Sequence, residues 1–449
     1  MVWLLFRLLV ANQAEPRERS PKEKILMKLQ FFGWLVLFLI LAKTAAQFWL
    51  ERINAKNVRA HAREIPPPFR SMIDEPTYKK SVAYTLAKSR FEVFELVWGT
   101  IILLIALFSG VLPWFYEIFT AHFGNSIWAG AAFLLCTGVL LSIPNLPLDW
   151  YAQFRLEEKF GFNSSTPKIF WLDRIKGLAL SAVIGLPLLA LILWLVQKLG
   201  DGWWLWAFGC VFVFQLVMLV LAPILIMPLF NKFTPLPEGN LRDRLFKLGE
   251  RTGFRAKDIQ VMDGSKRSRH SNAFFTGFGR FRKIVLFDTL IAQLAESELE
   301  AVLAHEIGHY KKRHIPKMLA WSAVSLLFGF FIVSILLKQE WFLGAFGFQA
   351  GNTVAAFLLF GLLSGAVTFW FSPLAHRWSR KYEYEADAFA AGVMNEIQSL
   401  IGALRKLNEK NLSNLTPHPF YSGFYYSHPT LLEREQALQK EAKHLPSLT

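Results

Sequence analysis

Long apolar runs dominate the pattern of hydrophobic and polar positions along this chain. Seven of them, separated by polar connections, approach the roughly 20 residues needed to cross a hydrocarbon core. They cover residues 31–50, 93–115, 128–148, 178–196, 203–226, 319–337 and 354–371. One such run could be buried in a soluble core, but seven predict an all-α polytopic membrane protein with about seven spans.

A different pattern fills the connection between the fifth and sixth spans, which is the largest soluble stretch of the chain. Residues 240–253 carry leucines along one helical face. Residues 259–262 and 283–287 are short apolar runs suited to strands. This stretch therefore predicts a small α/β unit outside the membrane.

Charge changes the picture of how the chain is oriented. Hydrophobic residues make up 53% of the sequence, and the formal net charge is +15. Basic residues crowd connection 51–90, whereas the short connections after the second, fourth and sixth spans are nearly uncharged. The positive-inside rule then places connection 51–90, the α/β unit and the C-terminal tail on the cytoplasmic side. Since this rule accounts for the excess charge, we expect no nucleic-acid partner.

The most informative polar segment lies in the α/β unit, between His305 and His309. On a helix, residues four apart share a face, so both imidazoles can bind one zinc ion while Glu306 takes a proton from water. The pattern alone also occurs by chance in surface helices. Here, apolar residues at helical spacing precede it, and Ser297 with Glu300 predicts a capping box that begins the helix.

A catalytic zinc ion needs a third protein ligand, and Glu383 is the candidate. Asp387 is four residues further along, on the same helical face, and suits the orientation of a ligating imidazole. We interpret Glu385, which faces elsewhere, as a solvated charge. Cysteine ligands are not expected, because Cys136 and Cys210 fall inside predicted spans. The alternative is a charged amphipathic helix that binds nothing.

Asn272 lies in a polar stretch between the two predicted strands. Proteases commonly bind an extended peptide by strand addition, and Asn272 could hydrogen-bond the backbone of such a peptide. A turn-forming asparagine is an equal alternative. The sequence assigns no role to His270 or His314.

Several motifs, taken in order along the chain, resemble those of the integral-membrane zinc CaaX prenyl proteases. They are residues 157–163, 231–236, 265–274, 305–309 and 383–387, and Ser427-His428-Pro429 with Arg434. The resemblance extends from about residue 31 to the C-terminus. The Phe-Gly-Phe-Asn stretch at 160–163 distinguishes this family from the shorter heat-shock membrane metalloproteases, which share only the zinc motifs.

The resemblance implies seven tilted helices around a water-filled chamber, capped on the cytoplasmic side by the zinc domain. It also implies that His305, His309 and Glu383 bind one Zn²⁺ and that Glu306 is the general base. Asp387 matches a family position described as orienting a ligand or donating a proton. Its spacing from Glu383 favours the orienting role.

Three further residues match family positions that border the substrate groove, namely Asn272, His428 and Arg434. His428 could stabilise the oxyanion that forms during hydrolysis. Because it precedes Pro429, it could equally be an ordinary loop histidine.

The implied activity is that of a zinc metalloendopeptidase that removes the last three residues of prenylated CaaX proteins. The residues themselves do not select this substrate, so a broad-specificity quality-control protease for membrane proteins is the alternative. A transporter or lipid-binding protein with structural zinc is disfavoured, because structural sites are usually rich in cysteine. We expect a monomer with one zinc ion, embedded in a lipid bilayer and acting on a peptide or protein substrate.

These expectations divide the chain into five parts. They are an N-terminal tail (1–29), spans one to five with their loops (30–228), the zinc metalloprotease region (229–317), spans six and seven (318–376) and a C-terminal cytoplasmic part (377–449). Short extramembrane insertions favour a bacterial inner membrane, with the endoplasmic reticulum membrane as the alternative. In both cases the active site would face the cytoplasm.

Overall fold

The computed structural model describes residues 21–254, 258–276 and 283–443, and twenty α-helices lie in these ranges. The first ten are α1 (Pro21–Ala60), α2 (Glu75–Phe108), α3 (Val111–Phe123), α4 (Ile127–Ser142), α5 (Leu146–Tyr151), α6 (Glu158–Phe160), α7 (Pro167–Leu180), α8 (Leu186–Lys198), α9 (Trp203–Leu221) and α10 (Met227–Phe230). The others are α11 (Asn240–Thr252), α12 (Asp288–Gln293), α13 (Glu296–Lys311), α14 (His314–Leu336), α15 (Glu340–Gly344), α16 (Thr353–Thr368), α17 (Ser372–Met394), α18 (Gln398–Lys410), α19 (Pro419–Tyr425) and α20 (Leu431–Ala442). Short 3-10 or π-helical turns join several neighbours into longer helices.

Seven helical stretches of the described residues are long and apolar enough to cross a membrane. They are Leu29–Ala60, Glu75–Phe108, Ile127–Phe160, Pro167–Lys198, Gly200–Phe230, His314–Leu336 and Thr353–Met394. Most are longer than the predicted apolar runs, because the helices continue into polar sequence. The predicted all-α membrane fold is confirmed.

Two predicted limits differ from the observed helices. The predicted span 93–115 crosses Gly110, whose φ of +79° separates α2 from α3. Glycine adopts this conformation at little cost, and a hydropathy pattern does not register it. The last span continues through the turn Phe369–Phe371 into α17, so the predicted limit at residue 376 lies inside one long helix. Most of the predicted tail 1–29 lies outside the described residues, and its last part belongs to α1.

A four-stranded sheet lies between the fifth and sixth spans, within the described residues. Its strands are β1 (Phe233–Pro235), β2 (Asp258–Met262), β3 (Ala273–Thr276) and β4 (Lys283–Phe287), in the order β1-β2-β4-β3. β2 and β4 are parallel, while β1 and β3 pair with them in antiparallel fashion. The sequence predicted β2 and β4 but not β1 or β3; β1 has only three residues, and β3 follows a polar stretch in which no strand is predicted. β3 forms one edge of the sheet.

The sheet does not build a hydrophobic core on its own. Ile284 of β4 joins an apolar cluster that also contains Leu303 of α13, Leu400 of α18 and Leu438 of α20. Each of these side chains is at most 2% exposed. The predicted zinc region and the predicted C-terminal part therefore share one core, and this core fixes α13 against the helices that follow the last span.

Candidate metal centre

Helix α13 carries the two histidines, and a glutamate defines its beginning. Glu298 accepts a hydrogen bond from the backbone N–H of Ala295 at 2.7 Å. The predicted capping box of Ser297 and Glu300 is wrong, because Ser297 already lies inside the helix. The sequence contains two overlapping pairs with a glutamate three residues after the candidate first residue, Ala295 with Glu298 and Ser297 with Glu300. Glu300 does not cap the helix; it accepts hydrogen bonds from Arg244 of α11, the shorter at 2.7 Å.

Small residues allow α13 and α17 to approach each other closely. A Cβ atom added to Gly308 would lie only 3.0 Å from both the Cα and the carbonyl oxygen of Ala386. Ala304 and Ala390 on the same two helices are completely buried. This close approach places Glu383 of α17 opposite the histidine face of α13.

The structure brings together the three residues proposed as metal ligands. Ligand atoms of His305, His309 and Glu383 all lie within 4.8 Å of one another. The two imidazole Nε2 atoms are 3.2 Å apart. Oε1 of Glu383 is 3.3 Å from Nε2 of His309, and its Oε2 is 3.4 Å from Nε2 of His305. Two imidazoles and one carboxylate that converge in this way suit a metal with a further position open to water.

Two observations show that a cation fits between these residues. Oε2 of Glu383 is buried and has no hydrogen-bond partner among the described residues, although Nη1 of Arg434 lies 3.7 Å away. A buried carboxylate oxygen without a hydrogen bond is costly, and direct coordination of a cation removes that cost. Burial alone would lower the pKa of His305, but the carboxylates of Asp387 and Glu383 beside its two ring nitrogens outweigh burial and raise the pKa to about 9. The site therefore favours positive charge, and a divalent cation can replace the proton of His305.

Glu306 is partly buried next to the three ligands. Burial raises the pKa of its carboxyl group above the ordinary 4.5, against the opposing effect of the two histidines. A carboxylate with a raised pKa accepts a proton more readily. Glu306 therefore has the chemistry of a general base.

Asp387 and Arg434 lie behind His305. Oδ1 of Asp387 is 2.8 Å from Nδ1 of His305, and Nε of Arg434 donates to Oδ2 of Asp387 at 2.8 Å. Asp387 is 2% exposed and Arg434 9%. The sequence placed Arg434 at the substrate groove, and Arg434 does line a cavity beside the site; its guanidinium also pairs with Asp387, because α20 packs against α17 there.

His428 and Asn272 lie on the open side of the site. Nε2 of His428 is 3.4 Å from Oε1 of Glu383, although 65% of the His428 side chain is exposed. Asn272 is exposed and directly precedes the edge strand β3, and its carbonyl oxygen accepts a hydrogen bond from Phe287 of β4 at 3.2 Å. The structure thus places His428 next to a candidate metal ligand and Asn272 at the beginning of a strand that a peptide could extend.

Two residues with contacts at the site received no role from the sequence. His314 lies 2.9 Å from His309, measured between their Nδ1 atoms, and Glu385 lies 3.0 Å from the other ring nitrogen of His314. The interpretation of Glu385 as a solvated charge is wrong, because its side chain is 29% exposed and faces this histidine. The only sequence signal was a third histidine five residues after His309.

The chain matches two protein families over most of its length. Residues 54–232 match the family described as CAAX prenyl protease N-terminal, five membrane helices. Residues 235–442 match peptidase family M48. The first match therefore ends just before β1, and the second contains all the candidate metal ligands.

Individual proteins are similar to this chain over nearly all of their own length. The CAAX prenyl protease 1 of Saccharomyces cerevisiae is 36% identical over 403 residues, which covers 84% of this chain and 88% of that protein. The CAAX prenyl protease 1 homolog of Homo sapiens is 31% identical over 470 residues, covering 92% and 96%. The crystal structure of S. mikatae Ste24p superposes with a TM-score of 0.86 at 33% identity, covering 90% of this chain and 98% of that chain.

Proposed function

Because this chain belongs to peptidase family M48, with the N-terminal membrane region of the CAAX prenyl proteases, and is a membrane metalloendopeptidase, we propose that it removes the last three residues of prenylated CaaX proteins. The family membership confirms the resemblance seen in the sequence. The observation that carries the proposal is the convergence of His305, His309 and Glu383 beside Glu306. The names of the relatives supply the substrate class.

Zinc is the metal that the proposal assigns to this site. Two histidines and one glutamate are a common ligand set of catalytic zinc sites. Elemental analysis of the purified protein tests this part, with one zinc ion per chain as the expected result. The variant His305→Ala should lose the metal together with the activity, and full zinc occupancy in that variant would contradict the ligand assignment.

Glu306 moves the protons in the proposed reaction. When zinc is bound, it supplies Lewis-acid chemistry that makes a water molecule more acidic and polarises the scissile carbonyl. The Glu306 carboxylate accepts a proton from this water and then passes it to the leaving amine. His428, on the open side of the site, donates a hydrogen bond to the oxygen on which negative charge develops. Asp387 keeps His305 in the tautomer that presents its Nε2 lone pair.

The edge strand β3 is the proposed binding place for the peptide. Edge strands present unpaired backbone groups, which an extended peptide can satisfy as an additional strand. β3 contacts α13, the helix that carries His305 and His309, and this contact supports a peptide path along the edge. Asn272 at the beginning of β3 supplies a side-chain amide that hydrogen-bonds the peptide backbone.

A cavity of 740 Å³ adjoins the site and supports the assignment of a peptide substrate. Its lining includes His428 and Arg434 together with polar side chains such as Tyr84, Gln153 and Asn411. Hydroxyl and amide groups of this kind hydrogen-bond peptide groups that have left bulk water. The cavity therefore provides room for the residues on one side of the scissile bond.

A broad-specificity quality-control protease is the second candidate function. The same cavity supports it, because amide and hydroxyl groups bind any peptide main chain and do not select an isoprenoid. The two candidates differ in their dependence on the prenyl group and in the position of cleavage, so one experiment separates them.

The experiment compares a farnesylated CaaX peptide with its unprenylated twin. Each peptide is incubated with the purified full-length enzyme, and the products are identified by mass spectrometry, with Glu306→Gln as the inactive control. Release of the terminal three residues from the farnesylated peptide alone is the expected result. Cleavage of both peptides at scattered sites, absent in the control, would instead identify the quality-control protease.

The proposal also includes the location of the active site. The basic connection 51–90 and the positive-inside rule support a cytoplasmic active site. The proposed enzyme is a monomer. The eukaryotic relatives favour the endoplasmic reticulum membrane over the bacterial inner membrane that the sequence suggested. Proteolysis of sealed membrane vesicles tests the orientation, since cleavage within connection 51–90 should occur only when its side of the membrane is accessible.

A further inference from the structure

We propose that His314 and Glu385 form a positioning pair that holds His309 in its metal-binding tautomer. This inference rests on the proposed metal site and adds a role for two residues that the proposed function leaves without one. The pair acts through His309 and touches neither the metal position nor the substrate. Its role corresponds to that of Asp387, which orients His305 on the other side of the site.

The His309 ring directs one nitrogen to the metal position and the other to His314. Its Nε2 atom lies 3.2 Å from Nε2 of His305 and 3.3 Å from Oε1 of Glu383, so this nitrogen faces the metal position. Its other nitrogen, Nδ1, lies 2.9 Å from Nδ1 of His314. The second ring nitrogen of His314 lies 3.0 Å from Oε2 of Glu385.

The placement of the protons follows from these distances. A nitrogen that binds a metal must present a lone pair, so neutral His309 carries its proton on Nδ1. That N–H donates to His314, whose Nδ1 must then be an acceptor. The remaining proton of His314 is therefore on Nε2 and donates to the carboxylate of Glu385. With His314 in the other tautomer, two N–H groups would face each other, or His309 would carry its proton on the nitrogen needed for the metal.

The surroundings of His314 hold its ring in this position. The residue is 1% exposed, and its ring stacks on Tyr382 with centroids 4.2 Å apart and an interplanar angle of 15°. Lys381 and Lys317 lie 3.8 and 3.9 Å from the Glu385 carboxylate and favour its ionised form. A buried ring with both nitrogens hydrogen-bonded can fix the orientation of its neighbour.

The turn between α13 and α14 brings His314 to this place. Five residues along an uninterrupted helix would put His314 on a different face from His309. The chain instead leaves α13 at Lys312, and Arg313 adopts the left-handed conformation with φ of +55°. Helix α14 then begins at His314, directly against the metal-site histidine. Left-handed backbone at a residue other than glycine is unfavourable, so the packing of His314 compensates for it.

Two substitutions at residue 314 separate a hydrogen-bonding role from a packing role. His314→Asn keeps an acceptor near the Nδ1 position, because the side-chain oxygen of asparagine can accept the proton of His309, but it loses the ring. His314→Phe keeps the ring against Tyr382 and loses both nitrogens. The proposal expects the asparagine variant to retain more function than the phenylalanine variant, whereas simple packing predicts the reverse.

The first measurement is zinc affinity, by competition with a chelator on the purified full-length enzyme. His314→Phe should bind zinc about 10- to 100-fold more weakly than the wild type, the usual effect of losing a group that orients a ligand. His314→Asn should lie between the two. Glu385→Gln keeps the shape of the partly exposed side chain but removes its charge, and should weaken zinc binding measurably, by about 10-fold. Tyr382→Phe keeps the stacked ring and serves as the control with unchanged affinity.

The second measurement is the kinetics of the zinc-loaded enzyme, where kcat should fall in His314→Phe while KM for the peptide stays constant. Equal zinc affinity in wild type, His314→Phe and Glu385→Gln would overturn the inference, and so would a phenylalanine variant that binds zinc better than the asparagine variant. If both residue-314 variants fail to fold, Glu385→Gln decides alone, and unchanged affinity there overturns the inference. Failure of the wild type to bind zinc would overturn the proposed metal site itself, so the two failures are distinguishable.

Discussion

The two sides of the metal centre are built in opposite ways. On the buried side, Asp387 and Arg434 are hydrogen-bonded to each other, and α13 touches α17 with no room for a Cβ atom at Gly308. On the open side, most of the His428 side chain is accessible, and Asn272 lies at the free edge of the sheet. Close packing therefore positions the proposed metal ligands, while the proposed substrate contacts depend on exposed groups that stay available to a peptide.

Glu306 lies next to the three ligands, and its replacement should have the largest effect on turnover. Replacement by glutamine keeps the shape of the side chain and removes its ability to accept a proton. Turnover should fall by about 10²- to 10⁴-fold, the usual contribution of a general base. Zinc content and the affinity for the farnesylated peptide should stay close to wild type. Normal turnover in Glu306→Gln would remove this residue as the base.

Gly308→Ala tests the packing of the buried side. An alanine normally stabilises a helix by about 1 kcal/mol relative to glycine. Here the added methyl group would meet the backbone of Ala386, so the helices must separate and Glu383 must move away from the histidines. Because a small misplacement of catalytic groups can reduce rates by about 10²-fold, we expect a loss of that order, together with reduced zinc occupancy.

Gly392→Ala is the matched control for this packing test. Gly392 lies on the same helix as Glu383, and an added Cβ atom would meet no other heavy atom within 4 Å. Its activity and zinc content should equal those of the wild type. Equal activity of both glycine variants would show that the close helix contact does not position Glu383.

Asp387→Asn tests the support of His305 on the buried side. The substitution preserves shape but replaces the carboxylate that accepts a hydrogen bond from His305 and faces Arg434. The zinc dissociation constant should rise by about 10- to 100-fold, with little change in KM for the peptide. A change in KM alone, measured at saturating zinc, would show that Asp387 acts on substrate binding and does not support a metal ligand.

Asn272→Ala should give the smallest effect and should act only on the open side. One hydrogen bond contributes about 0.5–1.5 kcal/mol, so KM should rise by about 10-fold at most. Zinc affinity should not change, because the Asn272 side chain accepts its hydrogen bond in the described structure from the backbone N–H of Ala273 and not from a metal ligand. Loss of zinc from this variant would show that the edge strand and the metal ligands are not independent.

Local patterns in the sequence were enough to predict the spans and the histidine-bearing helical face. Apolar runs defined seven spans, and the spacing of His305 and His309 defined a helical metal face, because hydropathy and helical periodicity are properties of neighbouring residues. The pairing of Glu383 with that face was a hypothesis from the sequence, and the structure brings the three residues together. The roles of these residues remain proposals that the variants above test.

Contacts between groups far apart in the chain could be learned only from the folded protein. Arg434 pairs with Asp387, because α20 packs on α17, and no spacing in the sequence encodes that contact. His314 reaches His309 because one left-handed residue interrupts the helix, so helical periodicity pointed away from the observed contact. The common core of the sheet, α13, α18 and α20 likewise depends on packing between segments far apart in the chain. Local patterns specify helices and faces, whereas burial and close packing specify the partners of those faces.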